Sequence, residues 1–142
     1  MLLPFQTIVG SEEETSVVAA EFSQQLKTGD IVCLIGNLGS GKTFFVKSVC
    51  KEFLIDTTSS PSFAIVNQYK GEQKITHIDF YRLKKVEELH DIGFEEYLSA
   101  MDSIVFIEWA SMFEEVLPKK YYMVEIFQID ETTRQIKINK HE

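Results

Sequence analysis

Arginine is almost missing from this chain of 142 residues: Arg82 and Arg134 are the only two. Bidentate guanidinium recognition of phosphates or base edges is therefore nearly out of reach. Positive charge is scarce altogether, with 14 Lys and Arg against 22 Asp and Glu and a formal net charge of −8. A protein whose main work is gripping nucleic acid needs an excess of cations on one face, so that class is excluded, although a local basic patch is not. Cysteine is limited to Cys33 and Cys50, each inside an apolar stretch. Two such residues build no disulfide framework and read as reduced core thiols rather than a metal or redox pair. No run of 18 apolar residues exists, so no transmembrane helix is expected. The opening Met1-Leu-Leu-Pro-Phe-Gln lacks the basic region and apolar segment of a signal peptide. The expectation is a cytoplasmic protein with no membrane partner. Repeats, low-complexity tracts and Pro/Gly/Ser-rich linkers are also lacking, which leaves residues 1–142 as one domain.

What is there suits a single sizeable core: 44% of residues are hydrophobic and 25% charged. Ser11-x-x-Glu14 reads as a capping box opening a helix that runs to about Lys27, with Val17, Val18, Ala20, Phe22 and Leu26 as its apolar stripe. Thr28-Gly29-Asp30 is a turn. Ile31–Ile35 is a continuous apolar run of strand length, the pattern of a strand covered by helices on both faces. A glycine-rich turn follows, and then a helix from Lys42 to about Phe53. Further strand patterns lie at about Phe63–Gln68, Lys74–Asp79, Ile104–Glu108, Tyr121–Asp130 and Gln135–Asn139. Lys70–Gln73 and Glu131–Arg134 read as turns between antiparallel neighbours, and Val86–Ala100 as a helix interrupted at Gly93. The expected fold is α/β: a mixed, mainly parallel sheet flanked by helices, with an antiparallel hairpin at the C-terminus.

The turn after Ile35 carries the chemistry. Gly36-Asn37-Leu38-Gly39-Ser40-Gly41-Lys42-Thr43 fits the phosphate-binding loop pattern G-x-x-x-x-G-K-S/T. Its glycines let the backbone wrap close to phosphate with N–H groups pointing inward, and the helix N-terminus adds partial positive charge. Lys42 is of the length to reach the β- and γ-phosphates, and the Thr43 hydroxyl suits Mg²⁺. In a chain of this composition the pattern arises by chance roughly 0.004 times, before its strand-then-helix context is required. The fold is accordingly P-loop NTPase-like.

Such a site needs an acidic residue at the end of a hydrophobic strand, to hold Mg²⁺ or orient water. Ile104-Val105-Phe106-Ile107-Glu108 has that form, and Lys74–Asp79 ends in a second candidate, Asp79. Ligands of open α/β sheets bind at such carboxyl ends. Ser59-Ser60-Pro61-Ser62-Phe63 is either a γ-phosphate-sensing loop or a plain polar turn. Arg82 is the better placed arginine to lend charge to a transferring phosphoryl group, although a surface salt bridge to a glutamate is the more ordinary role. Trp109 alone reads as a core or rim aromatic. His77 reads as packed or hydrogen-bonded rather than as a metal ligand, and no Cys/His cluster has zinc spacing.

Taken together, the motifs resemble the bacterial TsaE (formerly YjeE) family, the small ATPases of tRNA threonylcarbamoyladenosine biosynthesis. The resemblance runs from about Ser11 to Pro118. It rests on Ser11-Glu12-x-x-Thr15, Gly29-Asp30, the Gly36–Thr43 loop, Ser60-Pro61-Ser62-Phe63, His77-Ile78-Asp79-Phe80-Tyr81-Arg82-Leu83, Glu87-Glu88-Leu89, Ile92–Tyr97, Ile107-Glu108-Trp109 and Leu117-Pro118. A P-loop alone is shared by many families; one followed by H-x-D-x-Y-R-L and then I-E-W is far more specific. The resemblance implies an ATPase, weak alone and stimulated by partners, that works with TsaB and TsaD. That pair transfers the threonylcarbamoyl group to tRNAs reading codons that begin with A, so tRNA is met only through the partners. The resemblance also implies ATP and Mg²⁺ as cofactors. It puts Asn37 and Leu38 to Thr43 on the ATP phosphates, Thr43, Glu108 and Asp79 at the metal, and Lys42, Asp79 and Glu108 in catalysis. It puts Glu12 and Thr15 near the base and Trp109 beside the nucleotide. The chain departs from the family at Ala110-Ser111, where Pro-Glu or Pro-Gln is usual. It departs again before Leu117-Pro118, where Glu-Val replaces a glycine, and at Ser62, where threonine is usual.

Two other classes fit the loop less well. One is a non-catalytic, nucleotide-gated assembly subunit. The other is a small-molecule kinase, for which two arginines and the lack of an acceptor domain are a poor endowment. The ATPase expectation is checked by calorimetry with adenine nucleotide at millimolar Mg²⁺, where the wild type should bind and Lys42→Ala should lose both binding and hydrolysis.

Overall fold

A computed structural model of the chain describes residues 1–57 and 64–142. The polar segment Ser59–Phe63 lies outside the described residues. Seven strands form one sheet in the order β1-β7-β6-β2-β5-β4-β3. They are β1 (Phe5–Val9), β2 (Ile31–Ile35), β3 (Val66–Lys70), β4 (Lys74–Asp79), β5 (Ile104–Glu108), β6 (Tyr121–Gln128) and β7 (Arg134–His141). The central four, β6-β2-β5-β4, run parallel. The edges are antiparallel: β3 against β4, and β7 and β1 in turn outside β6. The mixed sheet and C-terminal hairpin agree with the sequence expectation.

β1 is an addition to it. Its five residues carry little pattern of their own, and the strand exists because β7 supplies the ladder, with Val9 opposite Arg134. The third strand is displaced from the expected Phe63–Gln68 to Val66–Lys70. The first helix, α1 (Glu12–Ser23), stops short of Lys27. It opens as expected, with Ser11 accepting from the Glu14 N–H and three glutamates in its first turn. The second helix, α2 (Lys42–Glu52), packs beside α1, while α3 (Glu87–Asp91) and α4 (Phe94–Ala100) break at Gly93 as anticipated.

Both sheet faces are covered, which is why Ile31–Ile35 and Ile104–Glu108 read as unbroken apolar runs. Val32, Leu34, Ile104 and Phe106 join Phe22 of α1 and Phe45 and Val49 of α2 in one core. Cys33, Val105 and Ile107 join Leu89 and Phe94 on the other face. Phe22 meets Tyr122 edge-on at 5.3 Å between ring centroids, a favoured aromatic geometry. Cys33 and Cys50 are buried, free thiols, each pushed up to about 12 by burial and so unreactive at neutral pH. Among the described residues no helix is long and apolar enough to cross a membrane.

Where β2 ends, Gly36 passes so close to β6 that a Cβ there would stand 1.9 Å from the Ile126 carbonyl oxygen. No L side chain fits, so this glycine welds the loop to the sheet. Gly36→Ala is expected to cost about 3 kcal/mol or more, read as a lower midpoint in urea denaturation at unchanged slope.

Candidate functional site

The loop Gly36–Thr43 leaves the carboxyl end of β2, between β6 and β5, and opens α2. Gly41 caps that helix with a φ of 108°, in the left-handed region, and offers no side-chain cap. No acidic residue occupies the first turn of α2, in contrast to the three glutamates of α1. The positive end of α2 is left for an anion from outside.

Lys42 is 4% exposed and folds back into its own loop. Its Nζ donates to the carbonyls of Gly36 and Asn37, each at 2.9 Å, and to Ser40 Oγ at 3.4 Å. It also stands 4.2 Å from the centroid of the Trp109 ring, a cation–π contact. Trp109 is thus beside the loop lysine at the margin of the second core cluster, with the Tyr81 ring 4.8 Å away between centroids. Burial lowers the Lys42 ammonium below its ordinary range, against the opposing pull of Glu108 and Asp79.

The acidic residues come from adjacent strands. Asp79, the last residue of β4, is register-paired with Glu108, the last of β5. Glu108 is 4% exposed, and the Thr43 hydroxyl lies 2.9 Å from each of its carboxylate oxygens. His77 Nε2 lies 2.5 Å from Oε2. Burial alone would raise the Glu108 carboxyl, but the hydrogen bonds from His77 and Thr43 and the nearby ammonium of Lys42 outweigh it and hold the group below the usual range. Asp79 accepts the Tyr81 N–H at 3.0 Å, and its other oxygen is 3.7 Å from Arg82 Nε. Arg82 pairs with Asp79, an aspartate of the site.

These residues converge. Leu38 to Thr43, Asp79, Glu108 and Trp109 line one cleft of about 410 Å³, together with Tyr81 and Arg82. Glu12 and Thr15 lie outside it, in an adjoining cavity of about 290 Å³ that shares Gly41 and Phe44 with the cleft. Asn37 is the exception among the expected loop residues. Its side chain turns away, where Oδ1 accepts the Gln128 N–H at 3.4 Å, and it contributes a carbonyl to Lys42 instead. Sequence reasoning passed over Arg134, which donates from Nε to the Ser40 carbonyl at 2.8 Å and lines the second cavity. It also gave no site role to Phe44, Tyr81 or His77. Tyr81 and His77 sat within the H-x-D-x-Y-R-L stretch; Phe44 and Arg134 left no local signal.

The donor set suits a hard cation. Mg²⁺ is usually held by one or two carboxylates and substrate phosphates, not by a full protein cage. Among the described residues no group of three or more His, Cys, Asp or Glu forms such a cage. The Thr43 hydroxyl and the carboxylates of Glu108 and Asp79 at one mouth are the smaller set that Mg²⁺ needs. Giving its proton to Glu108 leaves the Thr43 oxygen with lone pairs for a cation.

Comparison with known proteins places this chain among relatives that share one description. The family model described as threonylcarbamoyl adenosine biosynthesis protein TsaE matches residues 9–136. The tRNA threonylcarbamoyladenosine biosynthesis protein TsaE of Rickettsia bellii is 40% identical, over 94% of this chain and 93% of its own length. The protein of the same name from Aquifex aeolicus is 35% identical over 94% of each chain. That of Bacillus subtilis is 33% identical over 87% of this chain and 78% of its own. The crystal structure of Bacillus subtilis YdiB superposes with a TM-score of 0.81 at 27% identity, covering 99% of this chain and 87% of that one.

Asp79 yields a stability test. Burial raises its carboxyl above the ordinary range and the charge of Glu108 adds to this, with the Tyr81 N–H opposing. A folded-state pKa above the unfolded value means that ionised Asp79 weighs against the fold at neutral pH, and that the burden lifts as pH falls through the raised value. Asp79→Asn keeps an acceptor for Tyr81 and should raise the Tm by about 2–4 °C at neutral pH, the gain shrinking towards the carboxylate range. Scanning calorimetry across pH reads it.

Proposed function

This chain belongs to the TsaE family of threonylcarbamoyl adenosine biosynthesis proteins, and on that premise we propose that it is a Mg²⁺-dependent ATPase serving that tRNA modification. The observation that carries the reading is the hydrogen bond from Thr43 of the loop to Glu108 at the end of β5, which joins the phosphate-binding and acidic motifs across 65 residues of sequence.

In this reading the phosphates of ATP lie in the Leu38–Thr43 loop, against its N–H groups and the open positive end of α2. The Lys42 ammonium leaves the carbonyls of Gly36 and Asn37 for the β- and γ-phosphates, a short move because its stem is already in the loop. Thr43, Glu108 and Asp79 would hold Mg²⁺, and the ion would supply neutralisation of the charge that builds on the transferring phosphoryl group. Asp79 faces the cleft between the Tyr81 N–H and Arg82, suited to orient the attacking water. Arg82 supplies in cis the one guanidinium at the mouth. Tyr81 and Trp109, in contact at a ring tilt of 32°, shield that mouth from bulk water. Beyond Gly41 the base takes the adjoining cavity, between the Glu12–Thr15 turn of α1 and Phe44, with Arg134 behind it.

The work is done in the cytoplasm with TsaB and TsaD. An acidic chain carrying two arginines leaves tRNA to those partners and adds the ATPase step. Hydrolysis is slow alone and rises when the pair is present.

Glu108→Ala should retain ATP binding while its partner-stimulated kcat falls about 10²-fold or more, followed by phosphate release with purified TsaB and TsaD. The same assay scores threonylcarbamoyladenosine formed per enzyme. A Glu108→Ala protein that binds ATP, hydrolyses none and still supports many modification rounds would replace catalysis with nucleotide gating.

A further inference from the structure

His77 has no task in the scheme above, and its surroundings give it one. It lies on β4, opposite Phe106 in the register and two residues before Asp79, so both point to the α2 side of the sheet. Its side chain is 11% exposed and that of Glu108 is 5%. A carboxylate has no proton to give at neutral pH, so in the short contact from Nε2 to Oε2 the imidazole is the donor. The same carboxylate accepts from Thr43 Oγ1. The imidazole from β4 and the hydroxyl from α2 thereby converge as donors on one carboxylate from β5, and Thr43 is the member of the group that opens the P-loop helix.

The terminal torsion of a glutamate is broad, so Thr43 alone leaves the carboxylate free to swing. A second donor on Oε2 removes that freedom. Nε2 of His77 is engaged by Glu108, so in this arrangement that nitrogen is a donor and not a metal ligand. Partners of this kind orient the groups that touch a metal, and their loss costs roughly 10–100-fold in metal affinity.

We propose that His77 is a positioning residue of the Mg²⁺ site: by donating to Glu108 Oε2 it fixes the Glu108–Thr43 hydrogen bond in the geometry that turns the lone pairs of Thr43 towards the cation. The inference rests on the Mg²⁺-dependent reading of the cleft, and it assigns to His77 an action on the cation that passes entirely through Glu108.

The test is a Mg²⁺ titration of ATP binding, read by calorimetry and by the fluorescence of the lone Trp109. His77→Ala should raise the Mg²⁺ concentration for half-maximal effect by about 10-fold or more, while ATP binding without Mg²⁺ stays within about twofold of wild type. His77→Gln, whose amide reaches the ε position, should recover most of the loss; His77→Asn, whose amide stops at the δ position, should not. A merely structural histidine would not separate Gln from Asn in this way. If the Ala variant fails to fold, the Gln and Asn pair decides. A wild-type response to Mg²⁺ that His77→Ala leaves unmoved, or a Gln variant no better than Asn, overturns the positioning role alone. A wild type that binds ATP with no regard to Mg²⁺ overturns the Mg²⁺-dependent reading, and this inference falls with it.

Discussion

A carboxylate with 4% of its surface exposed is tolerable in a folded protein only when hydrogen bonds replace the water it has lost, and Glu108 is where this molecule meets that constraint. Its position at the end of β5, between β2 and β4, gives it one neighbour from the P-loop helix and one from the next strand. Thr43 and His77 fill those two places. The bond to Thr43 ties α2 to the sheet, so the first turn of the helix and the loop before it are anchored at both ends: Gly36 against β6 and Thr43 against β5. Stability and site geometry share these contacts, and a change at Glu108 acts on both.

The scarcity of arginine acquires a meaning in three dimensions. Both guanidinium groups of the chain stand at the loop, Arg82 across the mouth beside Asp79 and Arg134 on the Ser40 carbonyl. With Lys42 they concentrate cations around the loop that opens α2, in a molecule of net charge −8. The surrounding acidity discourages polyanions elsewhere on the surface, while a small anion with its own Mg²⁺ meets a short-range field that salt screens poorly in a half-buried cleft.

Much of this was legible in the chain because it is local. Gly36–Thr43 is contiguous, and Ile104–Glu108 declares itself through four apolar residues before an acid. Their meeting follows from one rule, that strands of a parallel sheet present their carboxyl ends together. What sequence could not give was long-range. Arg134 reaches Ser40 over 94 residues and His77 reaches Glu108 over 31, and neither pair leaves a spacing signal. β1 escaped because an edge strand of five residues needs β7 to exist. Asn37 was placed on the phosphates by its position in the motif, yet its side chain braces the loop against β6; motif position fixes a backbone more firmly than a rotamer.

The pairing of β1 with β7 brings the two ends of the chain to the same wall of the second cavity. Val9 sits opposite Arg134, and Gly10 to Glu12 after the one, with Glu131, Thr132 and Arg134 on the other side, line the space next to Gly41. A molecule that filled that space only while the strands were zippered would tighten them, and loosening the strands would weaken its hold by the same factor. The outermost strands, ordinarily the first to fray, thus form part of a cavity wall.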